Sequence, residues 1–414
     1  MSVSETEKAQ VVIVGAGLAG LSAAVTLHES GVSVRVIEGG SKVGGRLKTT
    51  KSDGFTFDHG FQVFNPAYPN SKELLDYSKL HLRKFSPGVK IVSDAGSKIL
   101  GNPLLEPSFA LAILKRPAEF LELTKFGLYA TSLLGADNPN IFDTDARTAL
   151  QQAHLSDDFI DYTLKPFLSG VFLEPNLETS RRFLDFVLEY FLKGTPAVPA
   201  DGMASIAQQL ASKLPADSIL LETWVHGIDG VGVKTDAGTS KSEYVIVATD
   251  QDTTSAWLGT QARGWRSVTT WYHSTEIARE HLAEGKALLH VDSGKRGPVV
   301  NTVPISHAAA SYAPLGKHLI SSSTLDLNTS ATREYEVKDH IARIYGIATS
   351  DLQTVGVFPI EKALPISTVP FSQLTDIEVR PNIFVAGDTF TTPSINGAME
   401  SGQKAANAIL ARIR

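Results

Sequence analysis

Val11, Val12, Ile13 and Val14 form an unbroken β-branched run, the pattern of a short strand covered on both faces. After it Leu18, Leu21, Val25 and Leu27 recur at roughly helical spacing. Glu29-Ser30-Gly31 closes that helix, with Gly31 a natural residue for the position just past its end. Residues 32–37 read as a second strand that stops at Glu38. Strand, helix and strand together make one βαβ unit of about 30 residues. Glycine-rich and polar residues then run to Asp58 without a helical period.

From Lys72 to about Tyr190 the texture changes. Leucine- and phenylalanine-rich stretches at 104–134, 147–152 and 180–191 predict helices, with prolines between them. Residues 203–214 predict another helix, 219–225 and 231–235 strands, and 244–248 a buried strand that ends at Thr249-Asp250. Strand-like runs at 268–273, 287–291 and 318–322 precede a helix over 332–345. The end of the chain offers a strand at 382–386 and a helix at 397–413. No internal repeat or low-complexity segment interrupts the pattern. The fold expected is α/β: a dinucleotide-binding, Rossmann-like domain with a second α+β domain. The first should be discontinuous (1–75, 200–260 and 350–414) and the second should take 76–199 and 261–349.

Length and composition sharpen this. A chain of 414 residues suits two structural units, and 43% hydrophobic with 20% charged residues suffices for a large core. Lysine plus arginine is 38 against 44 acidic residues, and the net charge of -6 with no dense basic run argues against nucleic acid as partner. The absence of cysteine excludes disulfides, thiolate metal sites and cysteine nucleophiles. The eleven histidines show no metal-ligand spacing, so no metal site is expected. Ser321-Ser322-Ser323 lacks the glycines of a nucleophile elbow. The polar first ten residues and the early glycines do not read as a secretion signal, and no apolar stretch is long enough to span a bilayer. A cytoplasmic address is the expectation. Residues 109–134, apolar with Lys115, Arg116 and Lys125 among them, read first as core, and second as a peripheral membrane contact.

The chemistry starts at Gly15-Ala16-Gly17-Leu18-Ala19-Gly20, placed between a buried strand and a helix. Gly15 permits a tight turn, Gly17 lets backbone approach a pyrophosphate, and Gly20 lets helix and strand pack closely. Glu38 ends the next strand, where a carboxylate can accept hydrogen bonds from ribose hydroxyls. Gly44-Gly45-Arg46 follows, and a guanidinium there can grip the same pyrophosphate bidentately. Near the other terminus Gly387-Asp388 ends a strand before a helix, a place for an aspartate to hold a polyol hydroxyl. That helix N-terminus would favour an electron-rich ring edge. A nicotinamide-dependent dehydrogenase would leave Gly44-Gly45-Arg46 and the C-terminal block without a role.

These blocks, with Phe57-Asp58-His59-Gly60-Phe61-Gln62 and 244–249, resemble the superfamily of FAD-dependent amine oxidases, phytoene desaturases and protoporphyrinogen oxidases. They cover about a third of the chain. The resemblance implies non-covalent FAD bound by Gly15, Gly17, Gly20, Glu38, Arg46 and Asp388, with Ala16, Leu18, Ala19, Gly44, Gly45 and Gly387 in the same loops. It places Ile395, Asn396 and Ala398 on the flavin ring, Gly60, Phe61 and Gln62 along it, and Val225 at the adenine. It implies hydride removal from a small or lipophilic substrate, with oxygen or a quinone as acceptor. Two departures favour a desaturase-like or porphyrinogen-oxidase-like enzyme over an amine oxidase. Residues 392–396 lack the tyrosine of the amine oxidases' aromatic cage, and no cysteine exists to tether a flavin. A redox-neutral isomerase and a non-catalytic flavin-binding protein are the alternatives. No catalytic side chain is assigned; His59 reads first as a structural histidine hydrogen-bonded to backbone, and second as an acid or base.

Overall fold

The computed structural model describes residues 9–101, 117–135, 142–371 and 373–413. Its first sheet has six strands. Val11–Val14 lies near the middle, paired in parallel with Tyr244–Val247 on one side and Val34–Ile37 on the other. Ile383–Val385 and Ile219–Leu220 extend it in parallel, and Glu378–Arg380 closes one edge antiparallel. The continuous apolar run at Val11–Val14 is explained by burial on both faces. Val11 and Ile13 enter the core under helix Leu18–Glu29, while Val12 and Val14 pack with Val245, Val247, Val385 and Phe390. The last helix, Ile395–Ile413, lies against Leu18–Glu29. Gly402 sets their separation, because a Cβ there would overlap the carbonyl oxygen of Ala19.

The second sheet has seven strands in the order Gln353–Pro365, Trp265–Thr275, His318–Thr324, Val299–Val303, Leu289–Asp292, Val89–Ser93 and Gly96–Leu100. Helices Ala146–Gln152, Lys165–Phe172 and Arg181–Lys193 build a separate core with Val89, Ile91 and Val291 of that sheet. Residues 350–365, expected from sequence in the dinucleotide-binding unit, therefore belong to the second sheet, because Gln353–Pro365 pairs along most of its length with Trp265–Thr275. The strand expected over 219–225 is only Ile219–Leu220, and Val225 instead opens Val225–Asp229, opposite Thr235. The segment read as lacking a helix before Asp58 holds a hairpin of Thr49–Ser52 and Phe55–Asp58. Of the apolar stretch 109–134, helix Pro117–Ser132 is described and 109–116 lies outside the described residues.

One buried carboxylate ties the hairpin of Thr49–Ser52 and Phe55–Asp58 to Met203 and Tyr312, and the backbone of the same residue reaches the second sheet at Tyr272. Asp58 Oδ1 accepts from the Thr49 hydroxyl at 2.6 Å and the Met203 amide at 2.9 Å, and its Oδ2 accepts from the Tyr312 hydroxyl at 2.7 Å. The Tyr272 hydroxyl donates to the Asp58 carbonyl at 2.7 Å, and accepts from the Asp58 amide at 3.1 Å. Burial pushes the Asp58 carboxyl up, and the donors around it oppose that shift.

Two histidines inside the second sheet make stability depend on pH. Burial holds His273 at about 3 and His290 at about 4, against an ordinary 6.5. Below 6.5 the unfolded chain takes up protons that the folded chain refuses, so stability is fully present above that pH and is lost as pH falls through the window. The slope should be as much as about 1.4 kcal/mol per pH unit for each histidine. Urea unfolding of His273→Phe between about pH 4.5 and 6.5 should show a slope shallower by roughly one proton than the parent's. An unchanged slope would mean that His273 titrates alike in both states.

Candidate functional site

Three backbone loops meet at the end of the first sheet. Gly15, at φ +104°, takes the chain out of the first strand, with a Cβ there only 2.6 Å from the Ala248 carbonyl oxygen. Gly20 then brings the helix onto that turn, since a Cβ would overlap the Gly15 carbonyl oxygen. Gly17 caps helix Leu18–Glu29 without any side-chain hydrogen bond, and its open side meets nothing within 4 Å. The Gly44 amide donates to the Ala16 carbonyl at 2.8 Å, and a Cβ on Gly45 would sit 3.2 Å from Gly17 Cα. The two glycine loops are thus in contact, and their bare backbone faces one cleft.

Glu38 is fixed beside them. Its Oε2 accepts from the Ala16 amide and its Oε1 from the Gly40 amide, both at 2.8 Å. Trp224 lies with its indole over Gly39, where a Cβ would stand 3.0 Å from the ring. On the opposite wall Arg46 donates to Asp388 and, at 3.3 Å, to the Ala363 carbonyl. Its guanidinium lies 5.4 Å from the centroid of the Trp265 ring. Asp388 is buried and Arg46 half-exposed. The Gly387 amide donates to the Ser401 hydroxyl at 2.9 Å, so the last strand is tied to the last helix. The Gln62 amide donates to the Arg46 carbonyl at 3.1 Å, while Gln62 Oε1 and Asn396 Oδ1 are buried acceptors without a partner.

These loops open on one cavity of about 1900 Å³. Gly15, Gly17, Leu18, Ala19, Glu38, Gly44, Gly45 and Arg46 line it. So do Gly60, Phe61, Gln62, Val225, Gly387, Asp388, Ile395 and Ala398. Ala16, Gly20 and Asn396 lie behind that surface, Ala16 as the donor to Glu38 and Gly20 as the packing contact. Trp224, Trp265 and Lys362 also line the cavity and were not singled out from sequence. Trp224 directly precedes Val225, which is the one local signal that pointed to it.

His59 lines the cavity beside the 60–62 loop. Its ring rests on Phe358 at 4.5 Å, and its Nε2 is 2.9 Å from the Thr50 hydroxyl. The side-chain partner is thus a threonine hydroxyl and not the backbone. Burial lowers its pKa, which favours the neutral ring. Beyond this loop the cavity continues between the second sheet and the helices of the second core. Its walls there include Tyr68, Phe167, Val171, Phe186, Tyr190 and Phe191.

The residues present fit a long dinucleotide carrying a ring system. Two glycine loops offer amides without obstructing side chains, a carboxylate ends the second strand, and unpartnered buried acceptors stand in the 60–62 loop at Gln62 and at the start of the last helix at Asn396. When bound, FAD supplies a two-electron acceptor at its ring.

Comparison with known proteins agrees. The family model described as flavin containing amine oxidoreductase matches residues 18–410. Protoporphyrinogen oxidase 2 of Arabidopsis thaliana is 27% identical over 167 residues, 39% of this chain and 32% of that protein. The 4,4'-diapolycopene oxygenase of a Methylomonas species is 36% identical over 103 residues, 23% of this chain and 20% of that protein. The matched stretches thus span a third or less of those relatives. Among solved structures, wild-type putrescine oxidase bound to putrescine superposes with a TM-score of 0.68 at 17% identity, covering 98% of this chain and 99% of that one. Reduced UDP-galactopyranose mutase does so with a TM-score of 0.71 at 15% identity, covering 98% and 96%. At such identities the structural likeness is one of fold. The family match spans nearly the whole chain, and the protein belongs to the flavin-containing amine oxidoreductase family as an FAD-dependent oxidoreductase.

Proposed function

We propose that this enzyme dehydrogenates an uncharged, largely apolar substrate held in the chamber beyond the 60–62 loop. The charge distribution along the cavity carries this reading. Among the described residues, its charged side chains are Glu38, Lys42, Arg46, Lys48, Asp250, Lys362 and Asp388. All but Lys362 belong to the loops around the dinucleotide cleft, and Lys362 is paired with Asp252 at 2.6 Å. The described chamber walls are mainly aromatic and aliphatic, and their polar side chains, Asn301 and Ser323 among them, are uncharged. An ammonium or carboxylate buried there would lose its hydration without gaining a counter-charge. This disfavours an amine substrate, as does the absence of a cage tyrosine between Thr392 and Asn396. The chamber's part is to orient the substrate and to keep water from it.

The cofactor contacts follow from the same geometry. Gly15, Gly17, Gly44, Gly45 and Arg46 would face the pyrophosphate, Glu38 a ribose, and Val225 with Trp224 the adenine. Asp388 would hold the ribityl chain, with Gly60 to Gln62 and Ile395 to Ala398 along the ring. A phosphate would compete with Asp388 for the Arg46 fork, which offers five donors. The chain then divides into a cofactor domain around the six-stranded sheet and a substrate domain around the seven-stranded one.

Helix Pro117–Ser132 supports a lipophilic route into the chamber. Leu123, Phe126, Leu128 and Ala130 line the cavity, and Phe120, Leu121 and Leu128 are 47%, 62% and 67% exposed. No described helix is long and apolar enough to cross a membrane. An apolar surface beside an apolar cavity suits lateral contact with a lipid phase.

Three outcomes test this. Arg46→Ala should weaken FAD binding about tenfold or more, since charge-assisted hydrogen bonds contribute roughly 1.5–3 kcal/mol; titration of flavin fluorescence measures it, and an unaltered affinity removes Arg46 from the phosphate site. Anaerobic mixing of the FAD-loaded enzyme with neutral polyenes and cyclic terpenoids should bleach the flavin, whereas putrescine, benzylamine and the dicarboxylate protoporphyrinogen should not. Bleaching by an amine alone would overturn the reading, and turnover without net bleaching would indicate isomerisation. Leu121→Asp with Leu128→Asp should lower co-sedimentation with neutral phosphatidylcholine vesicles severalfold at unchanged FAD content, and equal sedimentation would remove the helix from any membrane contact.

A further inference from the structure

The apolar chamber has one polar strip in its floor. Thr270, Ser323 and Asn301 occupy three adjacent strands of the second sheet in direct register, Thr270 opposite Ser323 and Ser323 opposite Asn301. Directly opposed residues share a face, so the three side chains form a row across the sheet. Phe358 continues the row on the fourth strand, opposite Thr270, and carries the His59 ring at 4.5 Å. The row therefore starts under the 60–62 loop and ends about 14 Å away, at three interstrand steps of roughly 4.8 Å. Its far end lies beneath helix Lys165–Phe172, where a Cβ on Gly170 would overlap the Asn301 amide.

This row is polar without being satisfied. Ser323 and Asn301 line the cavity, and Thr270 lies sealed beside Ser323. Asn301 Oδ1 and Thr270 Oγ1 are buried with no hydrogen-bond partner. Three other polar side chains lining the chamber are already engaged: Asn65 donates to the Tyr190 carbonyl at 2.7 Å, and Thr124 and Thr131 donate to carbonyls of their own helix. An apolar side chain would fill Asn301's place against Gly170 without leaving an orphaned amide. Buried polar groups without partners are costly in a fold, and those facing a cavity invite a ligand group that completes them.

We propose that Asn301 and Ser323, backed by Thr270, form a subsite for an uncharged oxygen function, a hydroxyl or carbonyl, on an otherwise apolar substrate. An amide and a hydroxyl can each both donate and accept, so either function finds a partner. Neither side chain can neutralise an ion, so a carboxylate or ammonium is refused. The span of the row sets the reach: with Ser323 two and Asn301 three interstrand steps from Phe358, the oxygen sits between about 10 and 14 Å from the carbon presented at the 60–62 loop. The proposal deepens the reading of the chamber as a site for uncharged substrates and rests on it.

The test uses binding alone. The FAD-loaded enzyme is titrated anaerobically with octan-1-ol, octan-2-one, 1-chlorooctane, octanoate and octylammonium, read by calorimetry and by the flavin difference spectrum. The alcohol and ketone should bind at least tenfold more tightly than 1-chlorooctane. Asn301→Leu should abolish that preference while leaving 1-chlorooctane affinity and FAD content unchanged. Ser323→Ala, a smaller change that carries the test should the first variant not fold, should lower the preference severalfold. Equal binding of alcohol, ketone and chloroalkane to the parent, no binding by any neutral probe, or a preference that survives both variants would overturn the subsite and leave the row to water. Tight binding of octanoate or octylammonium would instead refute the uncharged chamber, while the comparison among neutral probes would still decide the subsite.

Discussion

Backbone touching backbone is the constraint on which the rest of this molecule depends. Gly20 lies on the Gly15 carbonyl, Gly45 on Gly17, and Gly402 on the Ala19 carbonyl. At Gly20 and Gly402 a Cβ would overlap the facing oxygen, and at Gly45, held at φ +59°, it would stand 3.2 Å from Gly17 Cα. Through them the first helix is held against its own entry turn, against the loop of Gly44 and Gly45, and against the last helix. Segments nearly 400 residues apart thereby share one cleft, and a single long cofactor can touch both. Larger residues at these positions would push the three loops apart before any contact to a ligand was lost.

With the cofactor end fixed this way, the second sheet determines what else can enter. Asp58 ties its own hairpin to that sheet through Tyr272, while its carboxylate gathers Thr49, Met203 and Tyr312. It immediately precedes His59 and the 60–62 loop, so the loop that borders the cleft is anchored to the second sheet. Apart from Lys362, which is paired with Asp252, the charged groups stay on the dinucleotide side of that loop, and the described walls beyond it are uncharged and mainly apolar. Electrostatics and packing thus divide one cavity into two chemically different halves. The first suits phosphates and hydroxyls, the second a neutral hydrocarbon framework.

The cleft formed by the glycine loops was legible in the sequence because it rests on backbone geometry that local motifs encode. Gly15 to Gly20, Glu38 and Gly44 to Arg46 all fall within one stretch, and Asp388 with Ile395 within another. The chamber was not legible. Its floor depends on Thr270, Ser323 and Asn301 being set side by side, and only strand register creates that arrangement. The strand Gln353–Pro365 was placed in the wrong unit for a similar reason: Gly356 and Pro359 obscure its alternation, and its partner lies about 90 residues earlier. The hairpin ending at Asp58 did carry a signal, Asp53-Gly54, the pair suited to a tight turn with positive φ, which both residues adopt. Its first strand, Thr49–Ser52, has no apolar residue and so hid the pattern.

The central claim is that both ends of the chain hold one flavin whose ring opens on an uncharged chamber. A crystal structure of the FAD-loaded protein tests it most directly. The account predicts the pyrophosphate between Gly17 and Arg46, the ring between the 60–62 loop and Ile395, and an open path from the ring to Ser323 and Asn301. A ring lying elsewhere, or a ring face sealed from the chamber by protein, would contradict it.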